Sequence, residues 1–273
     1  MTDAATQHPR LETALRAAER AGEELRRRLA ERDFSVDHKA DGSPVTTADL
    51  ASEAVILETI RADWPGDAVL SEEAGEHAAT DADGARWIID PIDGTISFAH
   101  GVPLFGVLIG IEVATPDGPV IDAGVIAMPC LHEYVYAARG LGAWRRWNDD
   151  VLPARVSDTP RLDDAMVSWT DSRLFDRKGV SFMEAEMRRR IAMMRGWPDC
   201  YAHVLVATGR ADATIEPSVS VWDVAPLPVI MDEAGGRFSD WRGAPDIRAG
   251  DAIISNGRLH DALLACAAQH PAK

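Results

Sequence analysis

Trp87-Ile88-Ile89-Asp90-Pro91-Ile92-Asp93-Gly94-Thr95 joins three signals in one short stretch. The apolar run Trp87–Ile89 reads as a buried strand. Asp90 and Asp93 close it, and two carboxylates at that spacing can converge on one point at a strand end. Pro91 stiffens the turn between them, and the Ile92 carbonyl faces the same point as a further oxygen. Gly94 and Thr95 read as the first turn of a helix, whose backbone N–H groups are free to bind an anion. Hard divalent cations prefer oxygen ligands, and Mg²⁺ binds through a few carboxylates while keeping waters. Cation ligands and phosphate donors therefore stand side by side, a combination that packing alone does not explain.

Working outward, short apolar runs bounded by turn residues flank this stretch. Ala68–Leu70, Leu104–Ile111, Gly124–Ala127 and Tyr134–Ala138 are read as strands. Upstream, Leu11, Leu15, Ala18, Gly22, Leu25 and Leu29 recur at helical spacing. Asp41-Gly42-Ser43-Pro44 reads as a turn, and a second helix is expected from near Thr47 to Arg61, ended by Trp64-Pro65-Gly66. Downstream, Gly140, Gly142 and the charged run Arg145–Asp150 suggest a join between an N-terminal half (1–145) and a C-terminal half (146–273). The second half alternates again. Ala165–Trp169, Ala192–Met194 and Ala213–Ile215 read as strands, and Phe182–Arg190, Ala202–Thr208, Ala225–Ala234 and Leu259–Ala268 as helices. Such alternation implies a layered α/β fold.

The chain has 273 residues, with 28 Lys+Arg against 44 Asp+Glu, a formal net charge of −16. An acidic chain repels phosphate backbones, which argues against nucleic acid as a partner. Much of the acid solubilises the surface; the rest can line a pocket that needs cations before it accepts an anionic ligand. Cys130, Cys200 and Cys266 are too few and too widely spaced for a disulfide framework or a zinc site. The polar start and the lack of a long apolar run suggest neither signal peptide nor membrane span, so a cytoplasmic location is expected.

Three further acidic features join Asp90 and Asp93: Asp49 in Thr46-Thr47-Ala48-Asp49, the pair Glu72-Glu73, and Asp223 in Val221-Trp222-Asp223 before a helix. Each has a plain structural alternative. An Asp before a helix is commonly a cap, Glu72-Glu73 alone is a solvated loop, and Asp90 with Asp93 alone is a capped turn. The ordered set across the chain is what favours a metal centre.

At this point the sequence resembles the inositol monophosphatase family. Asp90-Pro91-Ile92-Asp93-Gly94-Thr95 matches its first signature. Trp222-Asp223-Val224-Ala225, followed by Glu233-Ala234-Gly235-Gly236, matches its second. Asp41 to Thr46 with Ala48-Asp49, and Glu72-Glu73, match its N-terminal blocks, collinear from about residue 10 to 265. Ser71, where the family usually has Gly, and Ile96-Ser97-Phe98, where Asn-Phe is common, depart from it. The resemblance implies an α-β-α-β-α sandwich and a phosphate monoester as substrate. It implies Mg²⁺ held by Glu72, Asp90, Asp93, Asp223 and the Ile92 carbonyl, with phosphate on Asp93, Gly94 and Thr95. Asp49, Glu72 and Thr95 would handle the attacking water, and a homodimer is implied by resemblance alone.

Substrate choice should lie in the second half. Gly196-Trp197-Pro198-Asp199-Cys200-Tyr201 resembles the block found in the family's histidinol-phosphate phosphatases, where inositol phosphatases carry small and hydroxyl residues. Histidinol bears a primary ammonium, which Asp199, helped by Glu216, can pair, with Asp223 nearby on the substrate side. An uncharged polyol would use Glu216 as a hydroxyl acceptor instead, so Glu216 alone does not discriminate. Asp199 also reads as a turn or helix cap after Pro198. The expectation is hydrolysis of histidinol phosphate, with an inositol or broad sugar phosphate as the alternative ester.

Overall fold

The computed structural model describes residues 7–39, 42, 44–81 and 84–268; Asp41 and Ser43 of the expected turn lie outside them. The first helix, Pro9–Glu31, starts behind His8, whose Nδ1 accepts from the Leu11 N–H at 3.2 Å. Pro9 sits at its first turn, where no N–H is needed. Leu11, Ala14, Ala18 and Leu25 bury one face of it. It packs with the second helix, Thr47–Asp63, over one face of an eight-stranded sheet.

The strand order in that sheet is Asp150–Pro153, Ala143–Trp147, Glu133–Ala138, Gly118–Met128, Gly106–Thr115, Arg86–Asp93, Ala68–Ser71, Gly75–His77. Only Ala68–Ser71 and Arg86–Asp93 pair in parallel, with Ser71 beside Ile89, so the chain leaves both strands at the same end of the sheet. Side chains alternate across the sheet, as a period of two requires. Trp87, Ile89, Val107, Ile109 and Val125 face the first two helices, whereas Ile88, Leu108 and Ile126 face the second half.

The helices Asp199–Ala207 and Leu227–Ala234 cover that other face and share its core. Behind them lies a five-stranded sheet ordered Met193–Arg195, Met166–Ser168, Ala213–Glu216, Ala252–Ser255, Arg237–Ser239. Its far face, with Ala213, Ile215 and Ile253, packs on the outer helices Ser181–Arg190 and His260–Ala268 through Met183, Met187 and Leu263. The result is the expected five-layer α-β-α-β-α sandwich. Among the described residues no helix is long and apolar enough to cross a membrane.

The differences from expectation have local causes. The run Arg145–Asp150, read as a join between the halves, lies within an edge hairpin: Asn148 and Asp149 make the turn that pairs Ala143–Trp147 with Asp150–Pro153. Its charges suit a sheet edge, where they discourage further pairing, and Arg145 is bonded to the buried Glu133. The division after residue 145 thus falls inside a strand, and the first sheet runs on to Pro153. The helix expected over 225–234 starts at Leu227, with Pro226 as its N-cap, and a separate turn of helix, Val221–Val224, precedes it. The helix expected from Ala202 begins at Asp199, which brings its first turn into the site.

Candidate metal centre

Asp90 and Asp93 lie three residues apart on one strand, so strict alternation would aim them at opposite faces. A register shift removes the conflict: Asp90 pairs with Leu108 and Asp93 with Gly106, leaving one extra residue between them. This is a β-bulge. Ile92 turns into the core against the first helices, and both carboxylates face the second half. Ser52 Oγ holds the bulge by donating to the Pro91 carbonyl at 2.8 Å, and the Ile92 N–H donates to Asp90 Oδ1 at 3.0 Å. The capped-turn alternative is thus realised together with the convergence.

The third carboxylate arrives by close packing. Gly110 and Gly124 are register partners on adjacent strands. A Cβ at Gly110 would meet Ala225 at 2.8 Å, and one at Gly124 would meet Pro226 at 2.8 Å. The two glycines let the Ala225–Pro226 backbone lie directly on the sheet, which sets Asp223 over the strand end. Ser220 N-caps this helical turn, and its N–H donates to Asp223 Oδ2 at 2.8 Å. Ligand atoms of Asp90, Asp93 and Asp223 all lie within 4.8 Å of one another.

Burial raises the Asp90 carboxyl well above the usual range, and Glu72, Asp93 and Asp223 raise it further. Burial, then Asp199 and Asp223, does the same for Asp93. Asp223 is pushed up to about 7, mainly by burial. Crowded acids of this kind lack a positive charge, and an all-oxygen donor set suits a hard divalent cation. The residues present fit such an ion.

Glu72 continues the parallel strand pair, its N–H donating to the Ile89 carbonyl at 3.2 Å. It stands outside the three-carboxylate group. Lys39 Nζ bridges Glu72 Oε1 at 2.6 Å and Glu73 Oε1 at 2.7 Å. Burial works to lower the pKa of Lys39, and the two glutamates outweigh it and raise it. The buried Glu53 anchors the loop, accepting from Ser71 Oγ and from the Ala74 N–H at 2.8 Å. Ser71 thus has a partner that the family's usual glycine would lack.

Asp49 is the third residue of its helix and forms a capping box with Thr46. Its Oδ2 accepts from the Thr46 N–H at 2.7 Å and from Thr46 Oγ1 at 2.6 Å. Its Oδ1 faces Thr95 Oγ1 at 3.4 Å, which lies 3.1 Å from the Ile92 carbonyl. Burial raises the Asp49 pKa. Gly94 has φ 85° and N-caps the short helix Thr95–Ala99.

Asp199 reaches this point from the other half. A Cβ on Gly94 would stand 3.0 Å from Asp199 Oδ2. The next residue's N–H, that of Cys200, donates to Asp93 Oδ2 at 2.5 Å, so Asp93 also caps the helix Asp199–Ala207. The Asp199 N–H donates to Thr170 Oγ1 at 3.0 Å, and Thr170 Oγ1 is 3.1 Å from Oε1 of the buried Glu216. Burial pushes Asp199 up to about 6. Burial, with Asp199 second, pushes Glu216 up to about 8. The fold brings the expected site residues of the first half, with Asp199 and Asp223, to one end of the first sheet, and Glu216, on the second sheet, joins them through Thr170. Sequence reasoning passed over Lys39, Glu53, Thr170 and the Cys200 amide. None carries a motif, and an amide donor leaves no trace in residue type.

The sequence pattern of the inositol monophosphatase family matches residues 6–272. A histidinol-phosphatase from Chlorobaculum parvum is 39% identical over 247 residues, covering 90% of this chain and 92% of its own length. A histidinol-phosphatase from Mycobacterium tuberculosis is 39% identical over 259 residues, covering 94% and 97%. The crystal structure of the extragenic suppressor protein suhB from Bartonella henselae superposes with a TM-score of 0.84 at 29% identity, over 95% of this chain and 98% of that one. With both signatures in place around the bulge and the Asp223 turn, the chain belongs to the inositol monophosphatase family.

Proposed function

We propose that this protein is a Mg²⁺-dependent phosphomonoesterase that hydrolyses histidinol phosphate to histidinol and inorganic phosphate. The observation that carries the choice of ester is the Asp199 carboxylate at Gly94, linked through Thr170 to Glu216. Among the described residues no lysine or arginine pairs with either acid. Surplus carboxylate beside the phosphate end of a pocket suits an ester that also carries an ammonium. The 39% identity to two histidinol-phosphatases supports the same reading.

In this reading Glu72, Asp90, Asp93, Asp223 and the Ile92 carbonyl hold the metal. Bound Mg²⁺ neutralises phosphoryl oxygens, lowers the pKa of the attacking water and stabilises the leaving alkoxide. The chain supplies the rest. Backbone N–H groups at Gly94 and Thr95 orient the phosphoryl group. Thr95 Oγ1 orients the attacking water and takes its proton while passing its own to Asp49 Oδ1, 3.4 Å away, so that the proton ends on the Asp49 carboxylate. Asp199 and Glu216 hold the ammonium and so place the ester oxygen.

Comparing kcat/KM for histidinol phosphate and inositol 1-phosphate tests the substrate. Histidinol phosphate should be favoured by about a hundredfold, equivalent to about 3 kcal/mol. Equal or better turnover of the inositol ester would overturn the choice. Asp199→Ala should lose far more activity on histidinol phosphate than on an aryl phosphate, and EDTA should abolish both activities.

A further inference from the structure

Thr170 lies just beyond the strand Met166–Ser168, where the chain passes between the end of Ala213–Glu216 and the start of the helix Asp199–Ala207. One hydroxyl there meets both acids. An amide N–H only donates, so Thr170 Oγ1 accepts from Asp199 and has its own hydrogen left for Glu216 Oε1. Two observations show that this link is structurally demanding. Asp199 has φ 53°, a left-handed backbone that a residue with a side chain rarely adopts. Thr214 Oγ1 also lies 3.1 Å from the same Glu216 oxygen, so two hydroxyls fix one carboxylate.

We infer that Thr170 is a positioning residue for the cationic end of the substrate: its hydroxyl holds Asp199 in its left-handed backbone and turns Glu216 so that both carboxylates meet one ammonium. The Thr170 hydroxyl bonds Asp199 and Glu216 and none of the three clustered carboxylates. Its contribution is to KM for a cationic ester, and the phosphoryl chemistry is independent of it. The inference rests on the histidinol-phosphate reading given above.

Thr170→Val keeps the shape and removes both hydrogen bonds, Thr170→Ser keeps both, and Thr170→Ala serves as a second deletion should the valine variant fail to fold. Each is assayed with histidinol phosphate and with 4-nitrophenyl phosphate at saturating Mg²⁺. Valine or alanine should raise KM for histidinol phosphate about tenfold, the worth of one charge-assisted hydrogen bond. Activity on the aryl ester should change by less than about threefold, and serine should restore KM. Equal losses on the two esters, or no loss, would overturn the inference. Asp199→Asn in the same assay separates the two claims. If it discriminates between the esters and the Thr170 variants do not, only the role of Thr170 falls. If Asp199→Asn fails to discriminate, the substrate reading falls and the inference with it.

Discussion

Asp93 carries two duties that its position in the sequence does not separate. It joins Asp90 and Asp223 in the acidic group, and it accepts the Cys200 N–H from the opposite half. Asparagine keeps an acceptor oxygen for that amide and removes the charge. Asp93→Asn should therefore lower kcat at least about a thousandfold, by analogy with losing a key electrostatic group. It should leave the melting temperature of the metal-free protein unchanged or higher, because a buried repulsion is relieved. A large drop in melting temperature would mean that the carboxylate charge is needed for folding. Residue identity made Asp90, Asp93, Glu72 and Asp223 legible, because packing and solubility do not call for carboxylates in that order and spacing. Lys39 and Thr170 were illegible, because a lysine after a short strand and a threonine after another are ordinary.

Among the elements, the bulge at Pro91–Ile92 and the glycine pair decide where the carboxylates point. The apolar runs were readable as strands because burial on both faces leaves continuous hydrophobic segments. The bulge was not readable, since it is defined by the partner strand's register and not by its own residues. Gly110 and Gly124 lie within runs read as strands, and the reason for glycine there is the backbone of Ala225–Pro226 lying on them. Gly110→Ala forces that backbone outward and takes Asp223 with it. The expected result is about a tenfold rise in the Mg²⁺ concentration for half-maximal activity and a loss of about 1–3 kcal/mol in stability, the usual range for overpacking. Metal titrations and denaturant melts measure the two separately. A stability loss with unchanged metal demand would show that Asp223 is placed by Ser220 alone.

Among the described residues three cores hold the whole molecule: one between the first two helices and the first sheet, one around the central helices between the two sheets, and one between the second sheet and the outer helices. The middle core contains a weak point. His203, on the helix Asp199–Ala207, is buried, and neither ring nitrogen meets a protein hydrogen-bonding group. Burial pushes its pKa down to about 4. In the unfolded chain a histidine titrates near 6.5, so between those values the unfolded chain binds more protons. The stability is present above about pH 6.5 and is lost as pH falls toward 4. His203→Leu removes this linkage. Relative to the native protein, it should gain about 2 kcal/mol on going from pH 7.5 to pH 5. Urea melts at the two pH values check this, and parallel curves would place the acid sensitivity elsewhere. His260, also lowered to about 4, is the natural comparison, although Ser239 and Ser255 bond both of its nitrogens.

By itself the sequence left strands such as Arg237–Ser239 and Ala252–Ser255 unread, but it determined the layered α/β class, the long first helices, the strands around Asp90 and the carboxylates of the candidate centre. Those depend on hydrophobic period and residue chemistry, which are local. Only the tertiary structure decided that Asp90 and Asp93 face the same way, that Asp223 sits on a pair of glycines, and that Asp199 stands at Gly94 with Glu216 behind Thr170. Each of these depends on where a second element lies across a sheet or between layers. A side chain's direction there is set by its neighbour's register and packing, which no single stretch of residues encodes.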